Sequence, residues 1–289
     1  MITMRCAAAK CAAAFAAMMT VALLTVPARA SEELVQVASA GSGPGGTHGN
    51  HPLLGYLLRP DGSAPSPAVV VLHGCEGFSL NYVIAARELQ SWGYAALVLD
   101  SLGAEDLCQG GGGAAAEALD AYAALHWLSA RPFVDPERIA LLGLSMGGAA
   151  ALMVTERGPL SATFKQHFRA VAAYYPSCGF SNGVMTSPLL ILIGGADDWA
   201  PAADCQAMMK RRDGNGAPVD LRVFPGATHA FNSIAPPHWI LGHFIQFDPA
   251  ATVAARNATQ SFLHQWLTGP TPQSPASSPS KDPIPGSAR

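Results

Sequence analysis

Beyond its first thirty residues the chain has no uninterrupted apolar run of about 18 residues, so no later membrane span is expected. It has no basic stripe, which makes nucleic acid and anionic membranes poor candidate partners. No Cys-x-x-Cys occurs, and no His-x-x-x-His is paired with cysteines. A zinc site is therefore not expected, and no cofactor is implied. There is no internal repeat, which argues against a solenoid.

What is present begins with a leader. Arg5 and Lys10 lie in or near a positive start, residues 12–26 form an apolar run, and Ala28-Arg29-Ala30 matches a signal-peptidase site. Residues 1–30 read as a signal peptide rather than an anchor, because the apolar run is short and ends in small residues. The expected location is periplasmic or secreted. Cys11 does not sit just before a plausible mature start, which argues against a lipoprotein. Without Arg5, Lys10 and Arg29, the 17 basic residues fall to 14 against 20 acidic ones, a net charge near −6. Residues 31–267 are long enough to bury one large α/β core. Residues 268–289 are rich in Pro and Ser, cannot build a core, and read as a disordered tail. Cys75, Cys108, Cys178 and Cys205 remain after cleavage, an even number in an oxidising compartment, with three possible pairings.

Strands and helices alternate along the mature chain. Strands are expected at 34–38, 53–58, 68–72, 94–99, 138–144, 170–175, 189–193 and 221–224. Helices are expected at 81–91, 114–130, 149–155, 202–212 and 251–267. This alternation predicts an α/β fold, a mostly parallel sheet with helices on both faces.

The most informative segment is Gly143-Leu144-Ser145-Met146-Gly147, which follows an apolar strand and enters an alanine-rich helix. That is Gly-x-Ser-x-Gly in the context of a nucleophile elbow, with Ser145 as nucleophile. The glycines suit a turn too tight for Cβ atoms, and the helix N-terminus favours negative charge developing there. A serine hydroxyl needs a base, and the base needs an acid to orient it. In doubly wound sheets both belong at strand ends, here in the order Ser, acid, His. The strand ending near Ile193 leads to Asp197 and Asp198, and the next strand leads to His229. His229 is the best base among the histidines. His48 and His51 lie in an irregular segment, and His126, His167 and His264 fall on or beside helices. His238 and His243 lie in the following insertion, and His73 reads as a loop-shaping residue. On position alone Asp197 and Asp198 compete as the acid. Two oxyanion donors are expected, the backbone N–H of Met146 and that of Cys75 in the loop after the third strand.

These residues resemble the dienelactone hydrolase family of the α/β-hydrolase fold, from about residue 53 to 267. The pieces that carry the resemblance, besides the elbow, are Leu72-His73-Gly74-Cys75, Asp100-Ser101-Leu102-Gly103, Gly195-Ala196-Asp197 with Pro201, His229-Ala230-Phe231, and Asp248-Pro249-Ala250-Ala251-Thr252. In that pattern the acid precedes the proline by four residues, which selects Asp197. The best-known members use a cysteine nucleophile, where this chain has Ser145. They place a glutamate where this chain has Gly74; Glu76 is two residues displaced. They bind a substrate carboxylate with arginines where this chain reads Ala104-Glu105-Asp106 and Asn232-Ser233. The fold implied by the resemblance makes strands three and four neighbours, and six and seven neighbours. It therefore implies the disulfides Cys75–Cys108 and Cys178–Cys205.

The expected function is thus an exported serine hydrolase acting on a small ester, lactone or thioester. A peptidase of the same fold is disfavoured by the lack of a propeller-sized extra domain. A non-catalytic binding protein on a hydrolase scaffold is disfavoured by retention of all three triad members. Phe78, Trp199 and Trp239, with Met146, suggest an apolar substrate pocket, and residues 232–249 are a candidate lid. Asn257-Ala258-Thr259 matches a glycosylation site but falls in an expected helix, and is discounted.

Overall fold

The computed structural model describes residues 30–38, 52–101, 113–212 and 216–269. Apart from Ala30, Thr268 and Gly269, the expected leader and tail lie outside the described residues, as do Cys108, Glu105 and Asp106.

Eight strands form one sheet in the order β1-β2-β4-β3-β5-β6-β7-β8. They are β1 (Ser31–Val37), β2 (Leu53–Arg59), β3 (Ser66–Leu72), β4 (Ala95–Asp100), β5 (Val134–Leu144), β6 (Ala170–Tyr174), β7 (Leu189–Gly194) and β8 (Val219–Phe224). The β1–β2 and β2–β4 pairs are antiparallel, and every pair from β4 through β3 to β8 is parallel. The β-branched run at Val69, Val70 and Val71 is wholly buried, as it must be in a strand covered on both faces.

Helices cover both faces of the sheet. Helix α1 (Leu80–Ser91) packs on β2 to β4, and α6 (Pro249–Leu267) packs on β5 to β7. They meet where Arg256 of α6 pairs with Glu88 and lies over the Trp92 ring. Helices α2 (Gly113–Ser129) and α3 (Met146–Thr155) pack together over β3, β5 and β6. Asp248 caps α6, its carboxylate accepting the Ala251 N–H, and Pro249 occupies the first helical turn.

The expected elements recur with boundaries moved by a few residues. Three were not foreseen: the short helix α4 (Pro159–Thr163) and a hairpin, β9 (His238–Ile240) with β10 (His243–Ile245). Three-residue strands carry too little alternation to be read as strands. Helix α5 (Ala202–Arg211) follows β7.

Cys178 follows β6 and Cys205 lies in α5; both are buried and bonded to each other, with Cα atoms 4.8 Å apart. Cys75 is also disulfide-bonded. Non-reduced peptide mapping should recover one species joining the Cys178 and Cys205 peptides. Replacing both by serine should lower stability by ~2–4 kcal/mol in denaturant titration. An unchanged unfolding midpoint would show that the bridge restrains little of the unfolded chain. Among the described residues no helix is long and apolar enough to cross a membrane.

Candidate active site

Strand register brings the functional loops to one edge. Leu72 pairs with Gly143, Leu144 with Tyr174, and Gly194 with Phe224, so the loops after β3, β5, β6, β7 and β8 leave the sheet side by side. Between β5 and α3 the chain reverses within one residue. Ser145 has φ 53° and ψ −112°, a strained conformation for a residue with a Cβ. The turn is clamped at both ends: Ser145 N–H donates to Tyr174 O at 3.0 Å and Gly147 N–H to His73 O at 3.0 Å. A Cβ at Gly143 would overlap the carbonyl of Gly147, and one at Gly147 would lie 2.6 Å from His73 O. Only glycine fits either place.

The loops after β7 and β8 are tied together. Gly195 N–H donates to Phe224 O at 2.7 Å and Ala196 N–H to Ala227 O at 2.9 Å. This brings Asp197 beside His229. The Nδ1 atom of His229 lies 2.8 Å from Asp197 Oδ2, and its Nε2 atom lies 2.8 Å from Ser145 Oγ. Asp197 Oδ1 accepts the N–H groups of Trp199 and Ala200, at 3.0 and 2.8 Å. The carboxylate is thus buried, oriented and hydrogen-bonded on both oxygens. Asp198 is exposed instead and pairs with His243 at 3.1 Å.

The imidazole of His229 is held between aromatic rings. Tyr175 meets it edge-on at 4.8 Å and Trp199 lies 5.1 Å away at a tilt. Trp199 in turn stacks on His243 at 4.7 Å. The Tyr175 hydroxyl donates to Asn232 Oδ1 at 2.8 Å, and burial raises its phenol well above the ordinary tyrosine range.

Behind the loop after β3 lies a buried polar cluster. His73 Nε2 accepts the Ser101 N–H at 3.2 Å, and its Nδ1 faces Gly74 O at 2.7 Å and Glu117 at 3.2 Å. Burial lowers the His73 pKa and pushes the Glu117 carboxyl well above its usual range, so the pair favours neutral forms. Burial also raises Asp120 to about 7. His73 therefore braces the loop that carries Cys75.

Two clefts meet at Ser145, with cavity volumes of about 230 and 360 Å³. These lie below or near the small end of the ~300–1,000 Å³ typical of pockets for drug-sized ligands. Cys75, Ser145, Trp199 and His229 border both clefts. The first is completed by Glu76, Tyr82, Tyr175, Asn232 and Ser233, and by the hairpin residues His238, Ile240 and Ile245. The second is completed by Met146, Leu152, Met153, Glu156 and Phe180. Phe78 and Trp239 border neither; their side chains are exposed, Trp239 to 70%. The segment 232–249 is a wall of the first cleft, bridged to His229 through Ile245.

Sequence reasoning did not single out Tyr175, Tyr82 or Glu76 for the site. Tyr175 had a usable signal, since it ends the strand next to the elbow strand. Tyr82 had none, because it reaches the site from the first turn of α1.

The model of the dienelactone hydrolase family matches residues 53–267. A Bradyrhizobium protein called probable 2-oxo-3-(5-oxofuran-2-ylidene)propanoate lactonase is 26% identical over 243 residues, covering 78% of this chain and 93% of its own. A putative dienelactone hydrolase structure from Klebsiella pneumoniae aligns with TM-score 0.64 at 16% identity, over 82% of this chain and 100% of that one. Thermogutta terrifontis esterase 2 phosphoramylated by tabun aligns with TM-score 0.60 at 18% identity, over 82% of this chain and 94% of that one.

Proposed function

Because the chain belongs to the dienelactone hydrolase family, we propose that it is an exported serine hydrolase of a small neutral ester or lactone. The observation that carries this reading is the hydrogen-bonded relay from Ser145 Oγ through His229 to Asp197. In the proposed reaction His229 Nε2 takes the Ser145 proton as Oγ attacks the carbonyl carbon. Negative charge on the carbonyl oxygen is met by the N–H groups of Cys75 and Met146 at the start of α3. The imidazolium then gives its proton to the leaving alkoxide, leaving an acyl-enzyme. Water, deprotonated by His229, attacks the acyl carbon, and the imidazolium returns that proton to Ser145 Oγ as the acyl–Oγ bond breaks and the acid leaves. Asp197 holds the Nδ1–H and stabilises the imidazolium. The lactonase name of the Bradyrhizobium relative supports lactone cleavage, but the compound it names carries a carboxylate, so the preference for a neutral substrate rests on the cleft walls alone.

Export is supported by the start of β1 at Ser31, the residue after the proposed cleavage site, and by the Cys178–Cys205 disulfide. Fluorophosphonate labelling of the mature protein tests the enzyme reading: Ser145 should be modified and ester turnover lost in proportion. An inert Ser145 would favour the binding-protein alternative.

Neutrality of the substrate follows from the cleft walls. Among the described residues neither cleft is lined by Lys or Arg, while each has a carboxylate, Glu76 or Glu156. Arg87 pairs with Glu32, Arg131 lies over Trp127, and Arg222 pairs with Asp220. Desolvating a substrate carboxylate without a cationic partner costs several kcal/mol. Neutral short-chain esters or lactones should therefore have kcat/KM at least about tenfold above that of a carboxylated dienelactone, each 1.4 kcal/mol being a factor of ten. Preferred turnover of the carboxylated compound over its neutral ester would refute this.

A further inference from the structure

The first cleft contains an acid that the reaction above does not use. Glu76 borders it and forms no ion pair among the described residues. Its carboxylate is nevertheless held in place. The Tyr82 hydroxyl donates to Glu76 Oε1 while accepting the Gly74 N–H at 2.7 Å. Tyr82 is itself buried, so this arm has little freedom. The lack of a Cβ at Gly74 leaves room for this folded-back carboxylate, which would otherwise have to move aside. The oxygens of Glu76 therefore stand on the cleft wall with lone pairs to spare.

Donors stand on the same cleft. Asn232 uses its amide oxygen to accept from Tyr175, and its NH2 group bonds to nothing among the described residues. The Ser233 hydroxyl oxygen accepts from Asn81 Nδ2 at 3.4 Å and from Ala235 N at 3.3 Å, which leaves its proton to donate. A carboxylate alone would suit an ammonium group. A carboxylate together with N–H and O–H donors suits groups that both donate and accept, which hydroxyls do.

Resting on the hydrolase reading, we infer that the cleft walled by Glu76, Asn232 and Ser233 binds a hydroxylated moiety of the substrate, so that esters of polyols are preferred. Glu76 accepts from a substrate hydroxyl, and Asn232 and Ser233 donate to the oxygen of that hydroxyl or its neighbour. A charge-assisted hydrogen bond is stronger than a neutral one, but Glu76 is solvent-exposed, so the expected discrimination is modest.

The test compares glycerol monobutyrate with propyl butyrate, which differ by two hydroxyls. The wild-type chain should show kcat/KM about tenfold higher for the glycerol ester, mainly through KM. In Glu76→Ala, and to a lesser degree in Ser233→Ala, this ratio should fall toward one. The ratio is taken within each variant, so a general loss of folded protein or of loop position cancels. A wild-type ratio near one, or a ratio unchanged in Glu76→Ala, would overturn the inference. So would a higher kcat/KM for butyrylcholine than for the glycerol ester, since the carboxylate would then be reading charge. If p-nitrophenyl butyrate is cleaved while the glycerol preference is missing, only this inference falls. If no ester is cleaved and Ser145 stays unlabelled, the hydrolase reading falls with it.

Discussion

Ser145→Ala should lower kcat for ester hydrolysis by up to about a million-fold while leaving the circular dichroism spectrum and unfolding midpoint close to wild type. The size follows from how triads behave: removing the nucleophile costs nearly as much as removing the whole relay. The fold should tolerate the change because Ser145 is clamped through its backbone, by Tyr174 O on one side and by the helix that begins at Met146 on the other. Among the described residues its side chain holds only the bond to His229 Nε2. Alanine keeps the Cβ, so the strained φ of 53° is not relieved and the stability change should be small. A folded Ser145→Ala protein with near-wild-type turnover would refute the nucleophile assignment.

The second large effect separates adjacent acids. His229→Ala should lose activity on the scale of Ser145→Ala, and Asp197→Asn should lose about ten-thousand-fold, the cost of an imidazole left in the wrong tautomer. Asn at 197 would also place an NH2 group where Oδ1 or Oδ2 now accepts, against the N–H groups of Trp199 and Ala200 or against His229. Asp198→Asn breaks only an exposed pair with His243, worth under ~1 kcal/mol, and should leave kcat/KM within about fivefold. Steady-state kinetics on one neutral ester across the three variants decides this. If Asp198→Asn were the crippling change, the acid would be off by one position.

Much of this was legible in the chain itself. Apolar runs located the central strands, because a strand buried on both faces has to be apolar throughout; the edge strands β1 and β8, partly exposed, were read from shorter runs. The elbow was legible for a steric reason. The close approach of Gly143 to the Gly147 carbonyl, and of Gly147 to His73 O, admits only glycine, so the pattern is written directly into composition. His229 was legible because chain order and strand ends confine the search to one loop.

Other features are not local properties of the chain. Asp197 and Asp198 are chemically alike, and only the fold turns one inward onto Trp199 N, Ala200 N and His229 while leaving the other in solvent. Phe78 and Trp239 are apolar enough for a pocket, yet the loop after β3 and strand β9 leave those rings exposed. Glu76 read as two residues displaced from the family's glutamate; Tyr82, arriving from α1, holds it on the cleft wall. The sequence by itself thus determined the succession of strands and helices along the chain and the glycines of the elbow, since sterics and periodicity act between near neighbours. The spacing to Pro201 that the resemblance supplies pointed to Asp197, but only the tertiary structure decided which aromatics border the clefts and where the Glu76 carboxylate stands, because those outcomes depend on segments that become neighbours only when the sheet closes.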